Sequence, residues 1–157
     1  MTAVDTNVVS ELMKVQPDPE VIGWAGAVDP ADLAVPAIVA AELLRGLDRL
    51  PDGARRDRLE RALDAFFGRL GDSRVLPLDA RGAAEYAHVK TARDGLGRLI
   101  GPMDALVAAT CRAYGAVLAT RNTKDFVGVG SSSWIPGLGR PRRGAGARRP
   151  GRDTNSA

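Results

Sequence analysis

A chain of 157 residues, 45% hydrophobic and 26% charged, suits a single globular domain with a core of its own. Its net charge of +3 is unevenly spread: residues 137–157 hold six arginines against one aspartate (6 − 1 = +5), which leaves 16 basic and 18 acidic groups, or −2, on residues 1–136. That balance removes any argument from charge alone that the folded part binds nucleic acid, and one cysteine, Cys111, excludes a disulfide framework or a cysteine zinc site.

No apolar run approaches the roughly 18 residues of a membrane span. Asp5 and Glu11 interrupt what would otherwise be a secretory leader. A cytoplasmic protein without a membrane partner is therefore expected.

In chain order, a short apolar run, Met1 to Val4, delivers Asp5 into a helix start at Thr6 and Asn7, both good N-cap residues. Asp18 caps a second helix that begins at Pro19 and ends before Asp29-Pro30. Leu33 to Val35 reads as a short strand closed by Pro36, and Ala37 to Leu47 as a mostly buried helix. A turn at Leu50–Gly53 leads into an amphipathic helix over 54–70, with Leu59, Leu63, Phe66, Phe67 and Leu70 inward and an arginine-rich face in solvent.

Val75 to Leu78 is strand-like, and its proline argues for an edge or end position. Asp79 caps a helix to about Arg93, and a glycine-bearing loop follows over 94–98. The helix from Pro102 or Met103 to Tyr114 is stopped by Gly115, before the clearest buried strand, Ala116 to Thr120. Strands alternating with helices predict an α/β fold with a mostly parallel sheet covered on both faces. Residues 1–136 are expected to form the domain, and the Gly/Arg/Pro-rich residues 137–157 a disordered tail.

Four acids are candidates for chemistry, each with a plainer reading. Asp5 follows a strand and faces a helix start, where it caps or ligates. Glu42 lies among Ala40, Ala41, Leu43 and Leu44, so it needs a partner: Arg45, Arg49 or a metal. Asp104 occupies the first turn of its helix, where the dipole favours it by about 0.3–1 kcal/mol, yet it shares the inward stripe of Val107, Ala108 and Cys111. Asn122 and Asp125 follow the last buried strand and are ordinary turn residues by default.

In a parallel sheet these positions gather at one edge. Three carboxylates about 5 Å apart repel by roughly 3 kcal/mol per pair at an effective dielectric near 20. A divalent cation removes that conflict, and an all-oxygen donor set selects Mg²⁺ or Mn²⁺. His88 and Cys111 carry no such constellation and read as surface and core residues.

Four blocks together resemble the PIN-domain family: Val4-Asp5-Thr6-Asn7-Val8-Val9-Ser10-Glu11-Leu12, Ala41-Glu42-Leu43-Leu44-Arg45-Gly46-Leu47, Met103-Asp104-Ala105-Leu106-Val107-Ala108-Ala109 and Ala119-Thr120-Arg121-Asn122-Thr123-Lys124-Asp125-Phe126. The likeness is to the VapC toxins of type II toxin–antitoxin pairs, in particular their FitB-like branch, and spans about residues 1–130. It implies a three-layer α/β/α domain and a Mg²⁺- or Mn²⁺-dependent endoribonuclease. It also implies a homodimer, or a higher toxin–antitoxin assembly, held by a cognate antitoxin protein.

By motif position, Asp5, Glu42 and Asp104 would be the catalytic, metal-binding acids. Thr6 and Thr120 would act from behind them. Arg121, Lys124 and Arg98 lie near the predicted strand-end edge, where the sequence leaves three roles open: contacts to RNA phosphates, solvent-facing residues or partners of the acids. Asn122 stands where the family often has a fourth aspartate, and Asp125 is the substitute three residues on. A degenerate module that holds an antitoxin or RNA without cutting is the alternative. A phosphoryl-transfer domain with Asp5 as nucleophile lacks the acid such a pattern wants at Asn7.

Overall fold

The computed structural model describes residues 1–129 and, for the backbone alone, 133–134. Five short strands form one sheet: β1 (Thr2–Val4), β2 (Leu33–Pro36), β3 (Val75–Leu76), β4 (Val117–Ala119) and β5 (Ser133–Trp134). Their order is β3-β2-β1-β4-β5, and every neighbouring pair is parallel. Among the described residues six helices flank the sheet in an α/β/α arrangement: α1 (Thr6–Leu12), α2 (Pro19–Ala27), α3 (Ala37–Asp48), α4 (Ala54–Leu70), α5 (Ala80–Gly95) and α6 (Pro102–Ala113).

The central strands are apolar without alternation because helices cover both faces. Ala3, Val4, Ala34, Val35, Leu118 and Ala119 are all buried. Val8 and Val9 of α1, Val39, Leu43 and Leu47 of α3, and Val107, Ala108 and Cys111 of α6 complete the same core. The alanines of α6 let its backbone approach the sheet closely.

Gly115 ends α6 at φ +62°, a left-handed conformation that glycine adopts without a Cβ penalty. Ala116 N–H then bonds Cys111 O at 2.8 Å, the six-to-one closure of a Schellman motif, which aims the chain into β4.

Local signals place most boundaries. Asp18 caps α2 through Glu20 N, with Pro19 in the first turn, and Asp79 caps α5 through Gly82 N. β3 is the sheet edge, and Pro77 follows it, so the missing N–H interrupts no ladder. Three details differ from expectation. β3 stops at Leu76, short of the expected Leu78, since Pro77 takes away the next ladder donor. α5 runs on to Gly95, so the loop before α6 is shorter than predicted. Along α4 only Leu63 is fully buried; Leu59, Phe66, Phe67 and Leu70 are half-covered, as suits an outer helix. The expected disordered tail, 137–157, lies outside the described residues, as does the 136/137 boundary.

The topology fixes where a site can be. The chain winds from β1 to β2 and β3 on one side, then returns across β1 to lay down β4 and β5 on the other. The direction of winding reverses between β1 and β4, and ligands of open parallel sheets bind beyond the strand ends at such a reversal. The residues that leave those two strand ends are Asp5 and Thr120.

Candidate active site at the sheet switch point

The ladder between β1 and β4 continues one residue past β1, with Asp5 N–H donating to Ala119 O at 3.0 Å. Asp5 is therefore held as rigidly as a strand residue while its side chain opens α1. The helix cap is Asp5 itself: its Oδ1 accepts from Thr6 N at 2.8 Å. This corrects the expectation that Thr6 and Asn7 cap the helix, since Thr6 is its first helical residue and both side chains have other partners.

Those partners build the site. Thr120 Oγ1 donates to Asp5 Oδ2 at 2.6 Å, and Asn7 Nδ2 donates to the same oxygen at 2.6 Å. Thr120 Oγ1 in turn accepts from Asn7 Nδ2 and from Asn122 N–H, each at 3.0 Å. Thr120 is wholly buried, so this hydroxyl, with one donation and two acceptances, is saturated. Asp5 spends three of its roughly four lone-pair positions on these donors.

Glu42 comes from α3, whose N-terminus stands at the same sheet edge. Its Oε2 accepts from Thr6 Oγ1 at 2.6 Å. Among the described residues it has no ion pair with Arg45 or Arg49, the plainer alternative for it. Asp104 lies in the first turn of α6, half-buried, with Gly101 tight behind it: a Cβ there would stand 3.2 Å from Asp104 Oδ2. Asp125 lies in the short 3-10 turn Thr123–Phe126, and Asn122 Nδ2 donates to its Oδ2.

The electrostatics bind these groups into one cluster. Burial pushes the Asp5 carboxyl above the usual range, and the charge of Glu42 adds to that push. Asp104 is also raised, by burial first and then by Asp5, Asp125 and Glu42. Beneath Asp5, burial lifts the Cys111 thiol to about 12, with Asp5 contributing, which leaves it an inert core residue.

The donor chemistry therefore fits a hard divalent cation: carboxylate oxygens from four elements, mutually repelling and partly dried, with no nitrogen or sulfur ligand among them. Among the described residues no three acid, histidine or cysteine side chains already close around one point.

Sequence reasoning missed Glu11. It is buried in α1, where Lys14 Nζ reaches its Oε2 at 2.7 Å and Asp18 N its Oε1 at 3.1 Å. Arg121 Nη1 completes the set. Lys14 first, then the Asp18 N–H and Arg121, hold the Glu11 carboxyl below the usual range. The one local clue was the i,i+3 spacing of Glu11 and Lys14.

Arg121 thus pairs with Glu11 and with Asp18 (3.3 Å), while its backbone N–H donates to Asn7 Oδ1 at 3.0 Å. Lys124 is exposed beside it, and Arg98 is exposed on the α5–α6 connection. His88 lies on the surface of α5, 3.7 Å from Glu85.

The PIN domain family model matches residues 2–130, which carry every element of this site. The VapC ribonuclease Y4jK of Sinorhizobium fredii is 38% identical over 130 residues, covering 83% of this chain and 93% of that one. Toxin FitB of Neisseria gonorrhoeae is 33% identical, with 80% and 91% covered. The crystal structure of FitAcB from the same organism superposes with a TM-score of 0.81 at 32% identity, covering 87% of this chain and 98% of that one. A model match over most of the length, a relative at 38% identity and a shared fold give one answer: the chain belongs to the PIN domain family.

Proposed function

We propose that this protein is a Mg²⁺- or Mn²⁺-dependent endoribonuclease, the toxin of a type II toxin–antitoxin pair. The observation that carries the reading is that Thr6 ties Asp5 and Glu42 together at the switch point, with Asp104 in the first turn of α6 near enough for the charges of Asp5, Asp125 and Glu42 to raise its carboxyl. The relatives named VapC ribonuclease and toxin FitB, and the solved FitAB structure at 29% identity, support the activity and a cognate antitoxin partner. RNA is the substrate, the working form is a homodimer or a larger assembly with antitoxin, and the cytoplasm is where both RNA and antitoxin are met. Among the described residues no helix is long and apolar enough to cross a membrane.

Asp5, Glu42 and Asp104 would hold the cation, with Asp125 or the Asn122 amide oxygen completing the far side. When bound, such an ion lowers the pKa of water and neutralises charge on a phosphodiester. The protein's own share is positioning. Thr120 and Asn7 fix Asp5 Oδ2, Thr6 N–H fixes Oδ1, and Thr6 Oγ1 occupies Glu42 Oε2, which leaves the remaining lone pairs aimed by construction.

Thr120→Val removes the donor to Asp5 and strands two others, so cleavage and metal affinity are expected to fall about 10–100-fold. Thr120→Ser is expected to retain most of both. Parallel rate and metal-titration measurements on the two variants check this.

The decisive experiment incubates purified protein, free of antitoxin, with a broad panel of structured and single-stranded RNA in Mg²⁺, Mn²⁺ or EDTA. Cleavage in either metal and none in EDTA is the expected outcome. Cleavage that persists in EDTA would overturn the metal mechanism. No cleavage by the wild type on any RNA would instead make the chain a binding module, the reading to which the uncharged Asn122 lends itself.

A further inference from the structure

Resting on the nuclease reading, we propose that the open groove between the C-terminal half of α1 and the turn at Thr123–Phe126 is a phosphodiester-binding subsite, where Lys14, Arg121 and Lys124 hold the backbone of single-stranded RNA beside the acids. The groove has a volume of ≈ 570 Å³, and Asn7, Glu11 and Asn122 complete most of its lining. That lies within the roughly 300–1,000 Å³ typical of small-ligand clefts. Three cations against Glu11 give its lining 3 − 1 = +2, and counting Asp18 behind Arg121 still leaves 3 − 2 = +1. The acid cluster next to it carries four carboxylates, so an incoming phosphodiester needs an anchor of opposite charge close by.

The cations are held ready for that role. Glu11 is a buried strut: its Oε2 receives both Lys14 and Arg121, and its Oε1 the Asp18 N–H. The outward sides stay open, with the Lys14 side chain 58% and Arg121 42% exposed. An ammonium has three donors, of which Lys14 spends one on Glu11. A guanidinium has five, of which Arg121 gives one from Nη1 to Glu11 and one from Nη2 to Asp18. Both side chains line the groove and are already held by Glu11 and Asp18, which lowers the ordering cost of binding. Lys124 is exposed and has no ion-pair partner among the described residues.

Asn7 and Asn122 join this groove to the acids. Asn7 grips Asp5 and Thr120 with its amide and accepts the Arg121 N–H, while Asn122 donates to Asp125. A phosphate on Lys14 and Arg121 is therefore one side chain away from the cluster. Glu11 serves as an anchor for cations rather than as a metal ligand, which separates it from Asp5 and Asp104.

The test measures binding of a labelled short single-stranded RNA by fluorescence anisotropy, in EDTA and over a range of salt, with the full chain. Wild type is compared with the Lys14→Gln/Lys124→Gln double variant; the arginine tail is common to both and cancels in the comparison. Loss of two phosphate contacts predicts a Kd about tenfold weaker at low salt and a log–log salt slope shallower by about 1.4. A Kd within about twofold of wild type and an unchanged slope would overturn the proposal. So would an acidic peptide of equal charge that binds as tightly and loses as much in the variant, which would make the groove a protein-docking surface. Should the double variant fail to fold, Lys124→Gln alone changes an exposed, unpaired side chain, and its slope is expected to fall by about 0.7. Because no cleavage is involved, failure of this binding result and failure of the nuclease reading are separate events.

Discussion

Asp5→Asn is expected to lower the rate of RNA cleavage by about three orders of magnitude, some 4 kcal/mol of transition-state stabilisation, with little loss of fold. The small structural cost follows from the local bonding. Asparagine keeps an oxygen for Thr6 N–H and for the cap of α1; its amide cannot accept from Thr120 and Asn7 as Oδ2 does, but removing a buried carboxylate repelled by Glu42 offsets part of that loss. The large functional cost follows from charge. Asp5 is buried and fixed by Thr120 and Asn7 at the point where β1 and β4 part, so no other carboxylate can take its place without breaking that network. Cleavage assays alongside far-UV circular dichroism check both halves. A variant that unfolds, or one that cuts at the wild-type rate, would contradict the role assigned to Asp5.

Asp104→Asn is expected to abolish activity to a similar degree and yet to stabilise the metal-free protein. The Asp104 carboxyl is raised above its reference value of 3.8 by burial and by Asp5, Asp125 and Glu42. In the interval between the unfolded and the raised folded value, the native state binds more protons than the unfolded state, so stability falls as pH rises through it. Above the folded value the whole penalty stands, and at neutral pH the wild type bears it while the asparagine variant does not.

In EDTA at pH 7 the variant is therefore expected to melt about 2–4 °C above wild type. The gap should narrow as the pH falls through the raised folded value and close below 3.8, where the aspartate is protonated in both states. Mg²⁺ or Mn²⁺ should raise the wild-type Tm more than that of the variant, since the cation offsets the same repulsion. A lower Tm for the variant in EDTA at pH 7, with wild-type-like response to metal, would show that the cluster is neither strained nor a cation site. The gain in stability on loss of function is the trade-off expected where like charges are held together for chemistry.

Much of the fold could be read from local pattern because its causes are local. Asp18-Pro19 and Asp79 announce their helices, Gly115 stops α6, and the uninterrupted apolar runs at Ala34-Val35 and Val117 to Ala119 mark strands covered on both faces. The acids were legible too, through their positions after strands and in first turns. What local pattern did not contain was the pairing across the chain. Thr6 and Asn7 look like caps, and only the arrival of Glu42 and Thr120, 36 and 113 residues later, decides that their side chains are used elsewhere. Glu11 looks like a surface residue of a short helix until Arg121, 110 positions away, closes over it. From sequence Arg121 is open to a phosphate contact, a solvent-facing role or a pairing with acids, and its ion pairs with Glu11 and Asp18 realise the last of these. Side-chain hydrogen bonds of this reach follow from the strand order, in particular from β1 lying between β2 and β4, which no single segment specifies.

The central claim, that the clustered acids hold a divalent cation on which RNA cleavage depends, is tested most directly by titrating Mn²⁺ into the purified full chain, with bound metal and RNA cleavage measured on the same samples. Cleavage should rise in step with occupancy in the wild type, and both should be lost together in Asp5→Asn and Asp104→Asn. Full-rate cleavage at zero occupancy, or undiminished Mn²⁺ binding in both variants, would contradict it.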